Sequence, residues 1–398
     1  MSGATHISCR RIAGVFVPAL ALVLAACGQS QDSGSLSETL DPDGIRVIEN
    51  NTPSEVSVDQ LAVFTYRDLV VIGSSESQQM LISRSDLRAG VAFGPHQTIG
   101  YTEYDPPELR VFSETGAHLW SAGREGEGPG EFNTPIFLRH QDESGWQVYD
   151  GYMRRICTFD EQGNSAVTRS YAELPDSFGP LALYSAGPHS IWYLAQKPVG
   201  PGNPIRQHLV YWADWQSLDA REVYRYEVPS TVETRQNRRY LIERSESHAV
   251  DSSGRFWLNH VPGYQIEVFG LQEERWRVRR KFRQQPYPEA YRQSIESSPV
   301  NEIATATYRL LPDYQPAIRQ MLRGPDSQVW VFTGTMSEGS TIQVDAYDET
   351  GALVHSFQMD RALIPLAIRD TQLLHQTEAP DGSPLLVLSE FWFEEVNH

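Results

Sequence analysis

A repeated pair of short β-strands constrains the fold of this chain more than any other feature of its sequence. The segment LRVFSETG at residues 109–116 recurs as ICTFDEQG at 156–163 and as VDAYDETG at 344–351, with a shortened copy, IEVF, at 266–269. Each copy has an apolar residue, an aromatic residue three positions later and, in the longer copies, an acidic turn closed by glycine. Glycine suits such a turn because it adopts positive φ without a Cβ clash.

A second repeated element, a polar turn followed by a short apolar strand, accompanies these copies. It lies at residues 94–103, 142–150, 187–195, 251–259, 324–332 and 379–389. Helical periodicity is scarce, so the pattern predicts an all-β fold. Units spaced by about 45 to 70 residues predict a β-propeller of six four-stranded antiparallel blades rather than a sandwich. We expect the strands near residues 44–50 and 61–73 to complete the last blade and close the ring.

The N-terminus has the character of a targeting segment. Arg10 and Arg11 precede an apolar run at residues 12–24 that is too short to span a membrane. The run leads into Leu-Ala-Ala-Cys, and the small residues before Cys27 resemble the lipobox of bacterial lipoproteins. The resemblance implies a signal peptide at 1–26 and lipidation of Cys27; an ordinary secretory signal is the alternative. An acylated cysteine would anchor the chain to a bacterial membrane, and Gly28 in place of aspartate favours the outer membrane.

Composition adds three expectations about the exported chain. Residues 27–41 are rich in Ser, Gln, Asp and Gly and predict a flexible tether, which leaves residues 42–398 as the propeller domain. Of the three cysteines, only Cys157 lies in that domain, so it cannot form an intrachain disulfide. The net charge of −18 argues against a nucleic-acid partner, because phosphate binding needs clustered cations. We expect the domain to be monomeric.

Residues 123–163 carry a resemblance to a known family. The segment GEGPGEFNTP, a strand ending in VYD, and RRICTFDEQG together resemble a blade of an NHL-repeat propeller. In that family such a turn leads into a strand, and by its position the stretch lies between the outer part of one blade and the inner strand of the next. The resemblance therefore implies a structural blade-linking turn, formed by Gly126, Gly128, Pro129, Gly130 and Phe132.

The rest of the repeat extends this resemblance. Asp150 and Arg155 match the family pattern, and we expect them to form a structural hairpin contact. The usual asparagine of the family falls at Met153, and the first repeat has Glu103 and Glu108 at the positions of Asp150 and Arg155. The whole chain is similar to the six-bladed propeller lipoproteins of many bacterial genomes. The glycine-rich stretch precedes a strand rather than a helix, so it is not predicted to bind phosphate.

Catalytic motifs of the common hydrolase, protease and nucleotide-binding types are absent from the sequence. Four histidines recur near inner-strand positions of successive units: His140, His189, His248 and His260. They could converge on a metal ion at the mouth of the central channel, as in some NHL-like lyases. The alternative is surface or loop histidines, because their offsets within the repeat differ. Apart from this metal, the sequence implies no cofactor.

Two arginine-rich segments and one cysteine stand out in this acidic chain. Segments 238–239 and 277–281 could bind an anionic glycan or lipid headgroup, or could belong to solvated strands. Cys157 occupies the position of Arg110 and Glu267 in other copies of the repeat. Because that position accepts charged residues, we expect Cys157 to be partly exposed and chemically incidental.

Two longer segments exceed a plain blade. Residues 196–247 predict a long hairpin or a protruding loop, and residues 287–321 predict a partly helical insertion. Insertions on a propeller usually lie on one face, and loops carry binding residues. The expected function is that of a cell-envelope binding or scaffold module for a protein, peptide or glycan. The alternative is a hydrolase or lyase with a metal at the channel mouth.

Overall fold

The structure is a computed structural model in which nearly all ordered elements are β-strands. It describes residues 36–51, 61–73, 90–141, 145–176, 182–187, 190–199, 205–214, 216–229, 231–233, 239–241, 246–287, 289–290, 293, 314–333 and 341–394. The all-β prediction is confirmed. Within the insertion 287–321, Glu289, Ala290 and Gln293 are helical. The described residues include no helix long and apolar enough to cross a membrane.

Three strands precede the first sheet: β1 (Leu36–Leu40), β2 (Arg46–Asn50) and β3 (Ala62–Ile72). The first sheet contains β4 (Val91–Phe93), β5 (Ile99–Tyr104), β6 (Pro107–Phe112) and β7 (His118–Ala122). The second contains β8 (Pro135–Gln141), β9 (Gly145–Asp150), β10 (Arg155–Phe159) and β11 (Ser165–Ser170). The third contains β12 (Ala182–Gly187), β13 (Ser190–Pro198), β14 (Ile205–Asp214) and β15 (Ala220–Pro229).

A small hairpin of β16 (Thr231–Glu233) and β17 (Arg239–Leu241) follows, inside the segment for which a hairpin or loop is predicted. The fourth sheet contains β18 (Ser247–Val250), β19 (Phe256–Asn259), β20 (Gln265–Phe269) and β21 (Arg275–Arg280). The fifth contains β22 (Ile318–Arg323), β23 (Val329–Thr333), β24 (Thr341–Tyr347) and β25 (Leu353–Asp360). The sixth contains β26 (Ile364–Arg369), β27 (Gln372–Glu378) and β28 (Pro384–Glu394).

The N-terminal strands join two different sheets. Strand β3 pairs antiparallel with β28 from Val63 to Ile72 and so forms the outer strand of the sixth sheet, as predicted. Its start also pairs in parallel with β25 of the fifth sheet. Strand β2 differs from the prediction, because it pairs in parallel with β21 at the outer edge of the fourth sheet. The cause is apolar burial, because Ile48 packs in one buried cluster with Trp276 and Val278.

Strand β1 corrects the predicted boundary of the tether. Residues 27–41 are expected to have almost nothing to bury, yet Leu36–Leu40 pairs with β2 along its whole length. Asp41 is buried and forms an ion pair with Arg277. Backbone pairing and this ion pair therefore extend the folded domain to residues before position 42. Residues 1–35, which include the predicted signal peptide and Cys27, lie outside the described residues.

Apolar clusters lie between neighbouring sheets and form the core. One joins the first and second sheets, and four more join each later sheet to the next, up to the sixth. Another cluster combines Ile72 and Leu386 of the sixth sheet with Ile99 and Phe112 of the first. Both sides of each sheet are therefore covered, which explains why the strands are so rich in aromatic residues.

The second strand of four sheets places one tryptophan in this core: Trp146, Trp192, Trp257 and Trp330. The polar turns of the repeat supply acceptors for three of these indole groups. Nε1 of Trp192 donates to the carbonyl of Gly254 at 2.7 Å, and Nε1 of Trp257 donates to the carboxylate of Asp251 at 3.0 Å. A buried indole N–H needs such an acceptor, so the polar turn and the apolar strand of the repeat work as one unit.

One side of the sheets carries the long connections. Because neighbouring strands are antiparallel, the turn between the second and third strands leaves a sheet at the same edge as the connection to the next sheet. Contacts between the two kinds of segment support this placement. The backbone N–H groups of Asn133 and Thr134 donate to the Asp150 carboxylate, and the N–H of Ala317 donates to the carbonyl of Pro262. We call this side the loop face.

The opposite side, which we call the turn face, carries short and regular turns. In the described part of the chain, seven of them close with the same backbone hydrogen bond: those at residues 94–98, 113–117, 160–164, 251–255, 270–274, 324–328 and 348–352. In the turn at 160–164 the Asp160 carboxylate accepts from the N–H groups of Gln162 and Asn164. Gly163 has φ of +83°, as expected for the glycine that closes the acidic turn.

Candidate functional site on the loop face

The glycine-rich turn lies on the loop face between the first and second sheets. Phe132 is fully buried and meets Phe159 edge to face, with ring centroids 6.1 Å apart. A Cβ on Gly123 would lie 2.3 Å from the Phe132 ring, so this position has no room for a side chain. The Glu131 carboxylate accepts from the backbone N–H of Gly128 at 2.7 Å, and this bond, with Arg124, lowers the pKa of Glu131. The turn thus binds its own acidic side chain.

Arg155 fastens this turn to the second sheet. Its guanidinium donates to the carbonyl oxygens of Gly126, Glu127 and Glu131. Its Nε lies 3.9 Å from the Asp150 carboxylate, so contact between the two side chains is secondary. A guanidinium presents several donors in a fixed geometry, and here three of its hydrogen bonds hold backbone. The geometry is that of a structural clamp.

Asp150 makes backbone contacts of the same structural kind. Its carboxylate accepts from the N–H groups of Asn133, Thr134, Tyr152 and Met153, at 2.8 to 3.3 Å. The family asparagine is missing at position 153, but the backbone of Met153 still donates to the hairpin. These bonds occupy the carboxylate and leave it poorly suited to general acid or base catalysis.

The four predicted histidines do not share one site. His140 meets Trp146 edge to face at 5.1 Å, on the second sheet. Nδ1 of His248 lies 2.6 Å from the hydroxyl of Tyr184, and Nε2 of His260 lies 3.1 Å from the hydroxyl of Tyr224. His189 lies outside the described residues. Two of the four histidines are therefore found at the interface of the third and fourth sheets.

That interface contains a buried histidine–carboxylate contact that the sequence pattern does not reveal. Nδ1 of His208 lies 2.8 Å from the Glu246 carboxylate, and both side chains are nearly buried. Tyr226 lies between the histidines, 5.4 Å from the His208 ring and 4.4 Å from the His260 ring. We call His208, Glu246, His248 and His260 the histidine cluster. Glu246 precedes β18 and His260 follows β19, so the cluster lies near the strand ends at the loop face.

Burial controls the charges of this cluster. It lowers the pKa of His248, and it lowers the pKa of His260 to about 4, although the charge of Glu246 acts in the opposite direction on both rings. Burial and Glu246 together raise the pKa of Tyr226 well above its usual value. Both lowered histidines are neutral at pH 7, and Glu246 has His208 as its close partner. The cluster is a buried polar network, and we expect acid to destabilise it.

A metal ion needs several ligands converging on one point. The part of the chain that the structure describes holds no group of three or more His, Cys, Asp or Glu residues placed for this. The spacing Glu246-x-His248 is visible in the sequence, but the pairing of Glu246 with His208 depends on strands from two sheets. No repeat signal could have revealed it.

The arginine-rich segment 277–281 differs from both expectations in its three arginines, because their charges are paired, whereas Lys281 is exposed. Arg277 forms ion pairs with Glu267 and Asp41, and Arg279 lies 3.6 Å from the carboxylate of Glu49. Arg280, on the same strand, forms a buried ion pair with Asp345. In the other segment, Arg238 and the side chain of residue 239 lie outside what the structure describes.

Cys157 also departs from its prediction, because its side chain is fully buried. Its thiol lies 3.4 Å from the carbonyl of Glu131, beneath the blade-linking turn, and burial raises its pKa. Arg110 and Glu267, at the same position of other repeats, are buried as well and form ion pairs. The position accepts charge through pairing, not through exposure.

Three tyrosines are exposed on the loop face. Tyr152 lies in the turn between β9 and β10 and is 74% exposed; Tyr104, at the end of β5, is 39% exposed. Tyr314 lies in the connection from the fourth to the fifth sheet and is 51% exposed. No other tyrosine in the described part of the chain is as exposed. Tyrosine is enriched at protein interfaces because its ring buries much area while its hydroxyl makes a hydrogen bond.

Comparison with solved structures identifies the fold. A member of the DUF4221 family from Bacteroides vulgatus aligns with a TM-score of 0.51 and 10% identity, over 85% of this chain and 99% of that one. The fold is a β-propeller. An exported protein of Bacteroides fragilis aligns over 87% of this chain and 99% of its own, with a TM-score of 0.49 and 10% identity. The virginiamycin B lyase of Staphylococcus aureus aligns with a TM-score of 0.39 and 9% identity, over 82% of this chain and 99% of its own.

These likenesses concern the architecture of the propeller alone. No family model and no curated protein matches the sequence. The function of this propeller must therefore be inferred from its own residues.

Proposed function

We propose that this chain is an exported lipoprotein of the bacterial cell envelope whose propeller binds a protein or peptide through the loop face. Removal of residues 1–26 would leave Cys27 as the acylated N-terminus, anchored in the outer membrane where the organism has one. Cell-envelope export is supported by the basic residues, apolar run and lipobox-like end of the N-terminal segment.

The same proposal includes a closed ring of six blades. Its support is the apolar cluster that combines residues of the sixth and first sheets, together with the place of β3 beside β28. A ring joined in this way at its ends presents its connections from a rigid base. Binding residues on such a base lose little conformational freedom when a partner docks.

The observation that carries the binding proposal is the set of three exposed tyrosines on one face. Tyr104, Tyr152 and Tyr314 come from the first and second sheets and from the connection between the fourth and fifth sheets. Large exposed aromatic side chains are typical of interaction sites. A glycan is a second possible occupant, because aromatic rings also pack against sugars, and the test below distinguishes it.

Two variants test anchoring and binding separately. Cys27→Ser should move the protein from the membrane fraction to the soluble envelope fraction; retention in membranes would contradict lipidation. The wild-type lipoprotein and a Tyr104→Ala, Tyr152→Ala, Tyr314→Ala variant are then crosslinked in cells and purified. A partner that is protease-sensitive and absent from the variant supports the proposal. A partner that resists protease would be a glycan. Equal recovery of the partner by the wild type and the triple variant would contradict binding through the loop face.

The competing enzyme proposal requires a metal at the channel mouth. Metal analysis of the purified chain, with His248→Ala and His260→Ala beside it, tests that alternative. A stoichiometric metal that both variants lose would favour the hydrolase or lyase. We expect binding of the partner to be unchanged by chelators.

A further inference from the structure

Arg139 carries a charge that no carboxylate neutralises within the described residues. It lies in β8, the first strand of the second sheet, opposite Gln147 of β9. Its Nε donates to Oε1 of Gln147 at 2.7 Å, and its guanidinium carbon lies 5.3 Å from the centroid of the Tyr149 ring. The Nη1 atom is buried and has no hydrogen-bond partner. One arm of the guanidinium is therefore unsatisfied.

Tyr149 supplies a second unsatisfied donor beside it. The side chain is 1% exposed, and its hydroxyl is buried without a hydrogen-bond partner. Tyr149 and Phe137 pack in the cluster between the second and third sheets. Arg139 follows Phe137 by two positions in the same strand and so lies on the same side of the sheet. Two unpartnered polar groups thus lie together at the inner part of this interface.

Within the described residues, Arg110, Arg155 and Arg280 are buried and have partners for their charge or for several of their donors, although the Nε atoms of Arg155 and Arg280 have no hydrogen-bond partner. Arg280 pairs with Asp345, and Arg110 pairs with Glu108. Arg155 donates to three carbonyl oxygens. A buried charge without a partner is costly, and an unsatisfied buried group often marks the place of an ion or water. Burial lowers the pKa of Arg139, and no carboxylate acts against that effect.

We propose that Arg139 and Tyr149 form a binding subsite for an oxyanion, either a carboxylate or a phosphate group. Both groups are donors, and an oxyanion has several lone pairs on adjacent oxygens that accept them. His140 does not contribute, because its ring contacts Trp146 on the other side of the sheet. Part of the Arg139 residue remains exposed, whereas its Nη1 atom and the Tyr149 hydroxyl are buried. This subsite is independent of the partner proposed for the loop face.

Thermal unfolding of the purified full chain tests the subsite with three probes at equal ionic strength: sodium phosphate, sodium acetate and sodium chloride. Phosphate also stabilises proteins by exclusion from their surface. The quantity to compare is therefore the anion response of the wild type minus that of Arg139→Met. We expect this difference to be a rise in Tm of about 2 °C or more that grows with anion concentration. A rise in acetate alone assigns a carboxylate, and a rise in phosphate alone assigns a phosphate.

Stability in chloride gives a second readout. Arg139→Met removes an unpaired buried charge, so its Tm in chloride should exceed that of the wild type. The variant should also lose the anion response. Arg275→Met is the matched control, because Arg275 is paired with Glu267; it should lose stability and keep the anion response. Tyr149→Phe should fold and show a reduced response. Identical anion responses in wild type, Arg139→Met and Tyr149→Phe would overturn the proposal.

Discussion

The loop face and the turn face are built from the same repeats, yet they differ in the length of their connections and in the tyrosines that they expose. Seven described turns of the turn face share one backbone hydrogen bond; on the loop face the turn at residues 379–383 has the same bond. The loop face carries the blade-linking turn, the hairpin β16–β17, the partly helical insertion and three exposed tyrosines. Residues of the histidine cluster also lie toward the loop face.

The difference follows from the strand order of the sheets. A turn between the third and fourth strands spans only neighbouring strands, so five residues are enough and little variation is possible. A connection between sheets must cross from an outer strand to the next inner strand, and it can lengthen without disturbing either sheet. The turns of the turn face therefore vary little, whereas the loop face combines structural contacts such as the Arg155 clamp with connections that can lengthen and acquire function.

The largest expected effect compares a structural residue of the loop face with an exposed residue of the turn face. Phe132→Ala should lower the free energy of unfolding by about 3–5 kcal/mol, because the ring is fully buried between sheets. Leu271→Ala, at an exposed turn-face position, should change it by less than about 0.5 kcal/mol. Chemical denaturation of both variants measures the contrast. A loss below about 0.5 kcal/mol for Phe132→Ala would show that the linking turn does not anchor the sheets.

The second prediction is that acid destabilises the histidine cluster, near the loop face, while an exposed histidine of the turn face has no such effect. The pKa of His260 is lowered to about 4 in the folded chain, so the folded state binds fewer protons than the unfolded state as the pH falls below 6.5. The contribution of neutral His260 to the free energy of unfolding is fully present above pH 6.5 and is lost as the pH falls toward 4. His260 alone should lower the free energy of unfolding by about 2 kcal/mol at about pH 5 relative to pH 8.

Urea unfolding of the wild type and His260→Phe at both pH values measures this effect. The phenyl ring keeps the stacking on Tyr226 but cannot titrate, so the loss on acidification should be smaller in the variant. His96 is an exposed histidine of the turn face. The variant His96→Asn should therefore lose as much stability on acidification as the wild type. An equal loss in wild type and His260→Phe would show that the cluster does not sense acid.

The smallest expected effect concerns a single tyrosine. Tyr152→Ala should lower the affinity for the partner about tenfold, which is the usual effect of a moderate interface hot spot. Its thermal stability should not change, because the ring is 74% exposed. Leu271→Ala is again the control and should bind the partner like the wild type. Titration of the purified partner into each variant compares them, and equal affinity for Tyr152→Ala and the wild type would remove Tyr152 from the interface.

The fold is largely predictable because its determinants are local. Turn, strand and aromatic residue recur within about ten positions, so Asp160, Gly163 and Trp257 stand out as a pattern in the amino-acid sequence itself. The place of β3 also follows from this pattern. The place of β2 does not, because burial of Ile48 against Trp276 depends on a sheet more than 200 residues away.

The candidate site is much less predictable for the same reason. The pair His208–Glu246 joins strands of two sheets, and neither residue belongs to the repeat. Cys157 shows the limit of reading exposure from residue type, because its position in other repeats holds buried ion pairs rather than solvated charges. Arg139 looks ordinary in the sequence, and only the absence of a partner for its Nη1 atom in the described structure makes it a candidate.

Site-specific photo-crosslinking in intact cells tests the assignment of binding to the loop face most directly. A photoreactive amino acid replaces Tyr152 in one chain and Leu271 in another, so both faces are sampled from exposed positions of the same fold. We predict a discrete adduct from position 152 and none from position 271. Adducts of equal yield from both positions, or an adduct from position 271 alone, would contradict the proposed division between the two faces.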